Sequence, residues 1–446
     1  MSHNSLLSFN KVCISLLLTF FYFTTYFIQS SGLDLAYHPA NILYISTLLL
    51  VRFKAERKYC VILCLFYFIV FHQYGSDPYS DVFVSFLSGY YKLVVILVFF
   101  SCLSFKKSIL GSLFVLIIFF SSLLNAILDD SFRAGYIFND AFFFILLSSS
   151  FFIKNEFFDS EDIEDVVFLF SISMPIVCLF VYFFGLGTER FGSYIFFYGH
   201  LFLFILIYPV FYLIRKKAKL NILFKILIVM NGIIFMLSAQ SAQYLILIVV
   251  IVTSLIFEFN FKKISLAVVF FIAFLLVIFN VESGTWLSLK INQLLALFSM
   301  SDFTSIIEVN SLAIRVFEFL IIFESNSVYQ HFFGNGLGSI YLDINHYFSY
   351  LNLHSATFSM SELATGEYYL IHESVVKVFF ISGFVGLLIF LYENVNNVLK
   401  SKSDPLNIAI IIYFVMLGLS GVQFSAFITM LYILTVNSAG EKCQLK

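Results

Sequence analysis

IHESVVKVFFISGFVGLLIFLY, residues 371–392, passes from a polar His-Glu-Ser triplet directly into an apolar run starting at Ser374. A run of this length, about 17 to 25 residues, crosses the roughly 30 Å hydrocarbon layer, and in lipid only closed hydrogen-bonding structures survive, so the segment reads as a membrane helix. Comparable runs lie at roughly 12–29, 36–51, 59–73, 83–104, 109–127, 136–153, 165–184, 194–214, 222–238, 243–259, 264–280, 406–420 and 424–437. The expected fold is therefore an all-α polytopic integral membrane protein with about fourteen spans. Eleven fall in 1–280 and three in 374–446, on either side of a polar lobe at 281–373. Composition agrees: of 446 residues 61% are hydrophobic and 12% charged, with a mean hydropathy of +0.97, against about 25% charged in ordinary globular chains.

Net charge is −2, which gives no footing for a nucleic-acid partner. The distribution of cations says more. Placing the N-terminus in the cytoplasm puts Lys11, Arg52–Lys58, Lys106 and Lys107, Lys154, Arg215–Lys219, Lys262 and Lys263, Lys400 and Lys402, and Lys442 and Lys446 on one side. The other side keeps Arg133, Arg190, Lys290, Arg315 and Lys377. Under the positive-inside rule both termini are cytoplasmic and the long loop is external. The run 12–29 follows Lys11 with no small-residue cleavage site behind it and reads as a signal anchor.

Chemistry is expected on the external lobe, where the composition turns to Ser, Asn, Glu, Gly and Tyr. Trp286–Met300 reads as an amphipathic surface helix. Asn310–Glu324 carries Ala313, Val316, Phe317, Leu320 and Ile321 at helical spacing, with Arg315 opposite Phe317. FGNGLGS, 333–339, follows with Gly334, Gly336 and Gly338. Glycines permit positive φ and let backbone N–H groups approach a ligand, the property used by phosphate-cradling loops, although such a pattern also makes a plain tight turn. His372 closes the lobe; imidazole, with an ordinary pKa of about 6.5, accepts a proton near neutrality.

Other polar residues have simpler readings. Lys92, mid-span, reads as snorkelling to the interface. Asp140 and His200, near the outer ends of their spans, are candidates to line a polar cavity and are also explained by wetting. The acidic run at 154–165 reads as a solvated cytoplasmic loop. The six cysteines avoid the lobe, so neither a disulfide framework nor a Cys-based metal site is expected there; Cys60 and Cys64, at i and i+4, read as packing.

Taken in order, TERFGS with Arg190 and Gly192, LAIRVFEF with Arg315, the FGNGLGS turn, and His372 leading into a span with Gly383 and Gly386 resemble the Wzy-type O-antigen polymerases and the related O-antigen ligases. The motif likeness covers about 185–200 and 311–392. Members often carry a Pro-Asn pair where this chain has Tyr198 and Gly199, and a Ser-Arg pair where it has Ser241 and Ala242. The resemblance implies a GT-C-like fold in the bacterial inner membrane, one large periplasmic loop, and metal-independent, inverting glycosyl transfer without a cofactor. The substrate would be an undecaprenyl-diphosphate-linked oligosaccharide, and the process lipopolysaccharide biosynthesis. Arg190 and Arg315 would grip the diphosphate, His372 would activate the acceptor hydroxyl, and a chain-length regulator would be a partner. Ligase and lipid-linked oligosaccharide flippase are the alternatives; no internal repeat of the kind transporters carry is visible.

Overall fold

The computed structural model describes chiefly residues 9–30, 39–54, 57–70, 82–128, 132–154, 188–190, 193–195, 310–351 and 360–400, with a few short pieces between and after them. The expected spans between 171 and 309, the surface helix at Trp286–Met300, His200, Ser241, and most of the last two spans lie outside these residues. What is described is mostly helical and divides into two compact units. Two helices, Ile109–Leu128 and Ser374–Leu399, are long and apolar enough to cross a membrane.

The first unit contains α1 (Phe9–Ser30), α2 (Pro39–Lys54), α3 (Arg57–Val70) and α4 (Val82–Ser101). Helix α3 is their centre: every residue from Cys60 to Phe68 is buried. Polar groups inside this packing are paired, as burial requires. The Tyr44 hydroxyl donates to the Leu63 carbonyl at 2.7 Å, and Tyr67 donates to Asn41 Oδ1 at 3.2 Å. Cys60 and Cys64 are free buried thiols, in line with a packing role, and Lys92 sits half-buried on α4. A short hairpin, β1 (Thr188–Arg190) with β2 (Ser193–Ile195), places Arg190 opposite Ser193.

The second unit combines α5 (Ile109–Leu128), α6 (Ala134–Phe152), α7 (Asn310–Ser325), α8 (Val328–Phe333), β3 (Tyr341–Leu342), α9 (Met360–Thr365), β4 (Glu367–Tyr368) and α10 (Ser374–Lys400). The described residues 310–351 and 360–400 fall in this unit together with Phe105–Lys154. Helix α5 has inverted polarity. Its buried face is Gly111, Phe114, Ile118, Ser121 and Asn125, whereas Leu116, Phe119, Phe120, Leu123, Leu124 and Ile127 are exposed.

The glycine turn explains why α5 keeps polar residues inside. Helix α10 is kinked at Gly383, whose φ is +62°, and a kink there opens the hydrogen-bond ladder one turn back. The Phe380 and Ile381 carbonyls instead accept the N–H groups of Asn335 at 2.7 Å and Gly336 at 3.0 Å. From the other side, Ser121 donates to the Phe333 carbonyl and Asn125 to the Asn335 carbonyl, while Ser122 Oγ accepts the Leu337 N–H at 2.9 Å. No side chain fits in this interlock. A Cβ on Gly334 would strike the backbone of Ile381 and Ser382, one on Gly336 that of Ser122, and one on Gly383 that of Phe332 and Phe333.

Gly366 also has positive φ, but a Cβ there meets nothing. Gly366→Ala should therefore cost only the left-handed backbone penalty of about 1 kcal/mol. Gly336→Ala adds a backbone collision and should lower the melting temperature of the detergent-solubilised protein far more. Equal melting temperatures for the two variants would refute the interlock.

Candidate functional site

The densest polar arrangement forms where α7 meets the segment leading into α10. Arg315 and Glu318 stand three residues apart on α7 and so share a face. His372 and Glu373 are adjacent on the irregular segment that leads into α10. Arg315 Nε lies 2.5 Å from Glu373 Oε1, and His372 Nδ1 meets Glu318 Oε1 while its backbone N–H donates to Oε2 at 3.1 Å. Glu318 is fully buried and His372 is 21% exposed.

This pairing settles the imidazole's orientation. A carboxylate only accepts, so Nδ1 is the protonated nitrogen facing Glu318, and in the neutral ring Nε2 is the proton acceptor. The carboxylate also stabilises the imidazolium formed when Nε2 takes a proton. Tyr341 closes the back of the pair, donating to the Leu370 carbonyl at 2.9 Å and lying 3.5 Å from Glu318 Oε1. Burial, reinforced by the Glu318 charge, pushes the Tyr341 phenol well above its ordinary range, keeping it a donor. Phe358 stands edge-on to the imidazole at 5.3 Å. Burial likewise raises the Glu373 carboxyl, with the Arg315 guanidinium beside it opposing that shift.

The segment carrying His372 is held from two sides. Glu362, buried on α9, accepts the backbone N–H groups of Tyr369 and Leu370, both at 2.8 Å. Strand β3 pairs antiparallel with β4, Tyr341 opposite Tyr368. Beyond β4 opens a groove of about 440 Å³ whose lining includes Asp343, His346, Phe348, Ser349, Thr365 and Tyr368. Tyr368 packs edge-on against Phe358 at 4.9 Å, which links the groove wall to the imidazole's neighbour.

A second buried cluster lies one turn along α10. Asp140 accepts the Gly338 N–H at 3.0 Å and the Tyr369 hydroxyl at 2.9 Å, and lies 3.5 Å from Lys377 Nζ. Both charges are buried. This places Asp140 in neither of the settings read in the sequence, a polar cavity or plain wetting: it is buried and ties α6, the glycine turn and α10 together. The phosphate-cradle reading of Gly334, Gly336 and Gly338 also changes. Their N–H groups go to the Gln330 carbonyl, the Ile381 carbonyl and Asp140, so the turn presents no donors of its own to a ligand.

Of the residues singled out by sequence, Arg315 and His372 come together through adjacent partners, the three glycines stand in the interlock, and Arg190 belongs to the β1–β2 hairpin of the other unit. Sequence reading missed Glu318, Glu373, Glu362 and Lys377. Glu318 had a signal: it sits on the apolar stripe of Ile314, Ile321 and Ile322, where a carboxylate needs a partner. Among the described residues no group of three or more His, Cys, Asp or Glu side chains converges to hold a metal ion.

No family model, curated protein or solved structure matches the chain. The site is therefore read from its own chemistry.

Two outcomes follow from the charges. Asp140→Asn leaves Lys377 buried without its counter-charge and should destabilise by about 3 to 5 kcal/mol, whereas Asp140→Leu combined with Lys377→Met should recover much of that loss. Thermal unfolding of the single and double variants checks it. Glu373 binds its proton more tightly folded than unfolded. Stability from that group is thus fully present below the unfolded value of about 4.3 and falls as pH rises through the window up to the raised folded value. Glu373→Gln should flatten this part of the melting-temperature profile relative to the unsubstituted chain.

Proposed function

We propose that the chain is a polytopic membrane glycosyltransferase of the O-antigen polymerase kind, joining undecaprenyl-diphosphate-linked oligosaccharide units at the outer surface of a bacterial inner membrane. The observation that carries this reading is the buried Glu318 carboxylate fixing His372 at the mouth of an apolar helix. Such a dyad is a general base, and the sugar hydroxyl is a substrate that needs one. The polytopic reading rests on the apolar runs and their cation pattern, and the inverted polarity of α5 supports it, because lipid favours apolar residues outward.

In the proposed reaction His372 Nε2 removes the acceptor hydroxyl proton. The hydroxyl oxygen attacks the donor's anomeric carbon from the face opposite the diphosphate, so configuration inverts. The anomeric C–O bond breaks and its electron pair leaves with undecaprenyl diphosphate. Arg315 stabilises the departing charge; a guanidinium stays ionised and offers phosphate a rigid fork of donors. Glu373, paired with Arg315 Nε, positions the guanidinium for that role. The groove beside Tyr368 and Phe348 supplies aromatic and hydroxyl surface suited to sugar rings.

The test is a gel of surface polysaccharide from cells whose native copy is replaced by variants at matched membrane abundance. His372→Ala should collapse the ladder to core plus one repeat unit, and Glu318→Gln should shorten chains by weakening the base. Persistent long chains in His372→Ala would remove the general-base assignment. Loss of even the single unit would favour the ligase or flippase reading.

A further inference from the structure

Helix α7 and the turn after it do not behave like a water-facing lobe. From Arg315, α7 runs along α10: Arg315 pairs with Glu373, and the Phe319 ring lies tilted 6.1 Å from Phe379. Phe323 touches His331 at 4.7 Å, and the His331 ring faces Phe384 at 6.4 Å. Helix α8 then reaches Gly383, where the backbone of Phe332 and Phe333 lies against α10. The chain returns through the glycine turn and emerges beside Phe132, which bridges to Ser339.

Two helices gauge how far this excursion goes. Ile381, bonded to Gly336, is seven residues past the start of α10 at Ser374, a rise of about 10 Å. Ser122, bonded to Leu337, is six residues before the end of α5 at Leu128, about 9 Å by the same measure. Both helices are apolar and of spanning length. At that depth non-helical backbone survives only if protein satisfies it. The five consecutive N–H groups from Gly334 to Gly338 all meet that condition.

The outward surface of the excursion is apolar. Phe319, Phe323, Phe332 and Phe333 are between 39% and 52% exposed. Phe332 and Phe333 lie against Gly383, and the next residue, Phe384, opens the exposed stripe Phe384, Leu388, Tyr392, Val395 and Leu399 of α10.

We infer that α7, α8 and the glycine turn form a re-entrant hairpin that dips about 10 Å into the bilayer, with Phe319, Phe323 and Phe332 in contact with the hydrocarbon chains of membrane lipid. The inference rests on the membrane reading of α5 and α10 and not on glycosyl transfer. It sets the Arg315, Glu318, His372 and Glu373 group at head-group level, open sideways to a substrate carried on a lipid tail.

The test is cysteine accessibility in membranes opened to reagent on both faces. Phe323→Cys and Phe332→Cys are compared with Ile344→Cys, on an exposed turn, and Leu388→Cys, on the lipid-facing stripe of α10. Labelling by a charged, membrane-impermeant maleimide is read above that of the unsubstituted chain and normalised to total thiol after denaturation. A thiol reacts as its thiolate, so thiols in hydrocarbon should label at least about tenfold more slowly. The hairpin predicts Phe323→Cys and Phe332→Cys as slow as Leu388→Cys and well below Ile344→Cys. Both reacting as fast as Ile344→Cys while Leu388→Cys stays slow would overturn the hairpin and leave the spans intact. Fast labelling of all four would overturn it together with the membrane assignment of α10.

Discussion

The second unit depends on a single exchange of backbone hydrogen bonds. Gly383 breaks the ladder of α10, and the carbonyls released there are the ones that Asn335 and Gly336 fill. Neither side of the exchange is stable alone in a dry interior, where an unmade backbone bond costs more than a made one contributes. Glycine is required on both partners because the two backbones touch. The polar face of α5 follows from this arrangement: Ser121, Ser122 and Asn125 are inside because the turn needs donors and acceptors from a second direction.

The site is built on that frame. The turn is tied by Gly338 to Asp140, Asp140 to Tyr369 and Lys377, and three residues after Tyr369 comes His372. Glu362 fixes the same segment from α9. His372 and Glu373 are thus presented to α7 by a segment whose backbone is held on both sides, so their geometry toward Arg315 and Glu318 is fixed before any ligand arrives.

Helix boundaries were legible in sequence because apolar run length is a strong signal: the runs read at 109–127 and 136–153 match α5 and α6 closely, and Asn310–Glu324 matches α7. Arg315 and His372 were legible as rare polar residues beside apolar runs. Their partners were less so, since the contact between Glu318 and His372 spans 54 positions and no local periodicity encodes it. The glycine turn was misread for a different reason. Positive φ was correctly anticipated, but the same freedom serves close approach of a helix as well as of a ligand, and only the packing against Ile381 and Ser122 decides between them.

The four-residue site has a compact written form. Two positions three apart on a helix, Arg and Glu, face two adjacent positions on the segment before the next helix, His and Glu, so the pattern Arg-x-x-Glu followed downstream by His-Glu at the threshold of an apolar run records the whole contact. Because the two pairs must stay in register, a one-residue insertion within either motif would keep at most one of the two links. Length changes in the intervening stretch away from the turn would leave them untouched. The motif pair therefore offers a fingerprint by which distant relatives could be gathered even when the surrounding apolar sequence has drifted past recognition.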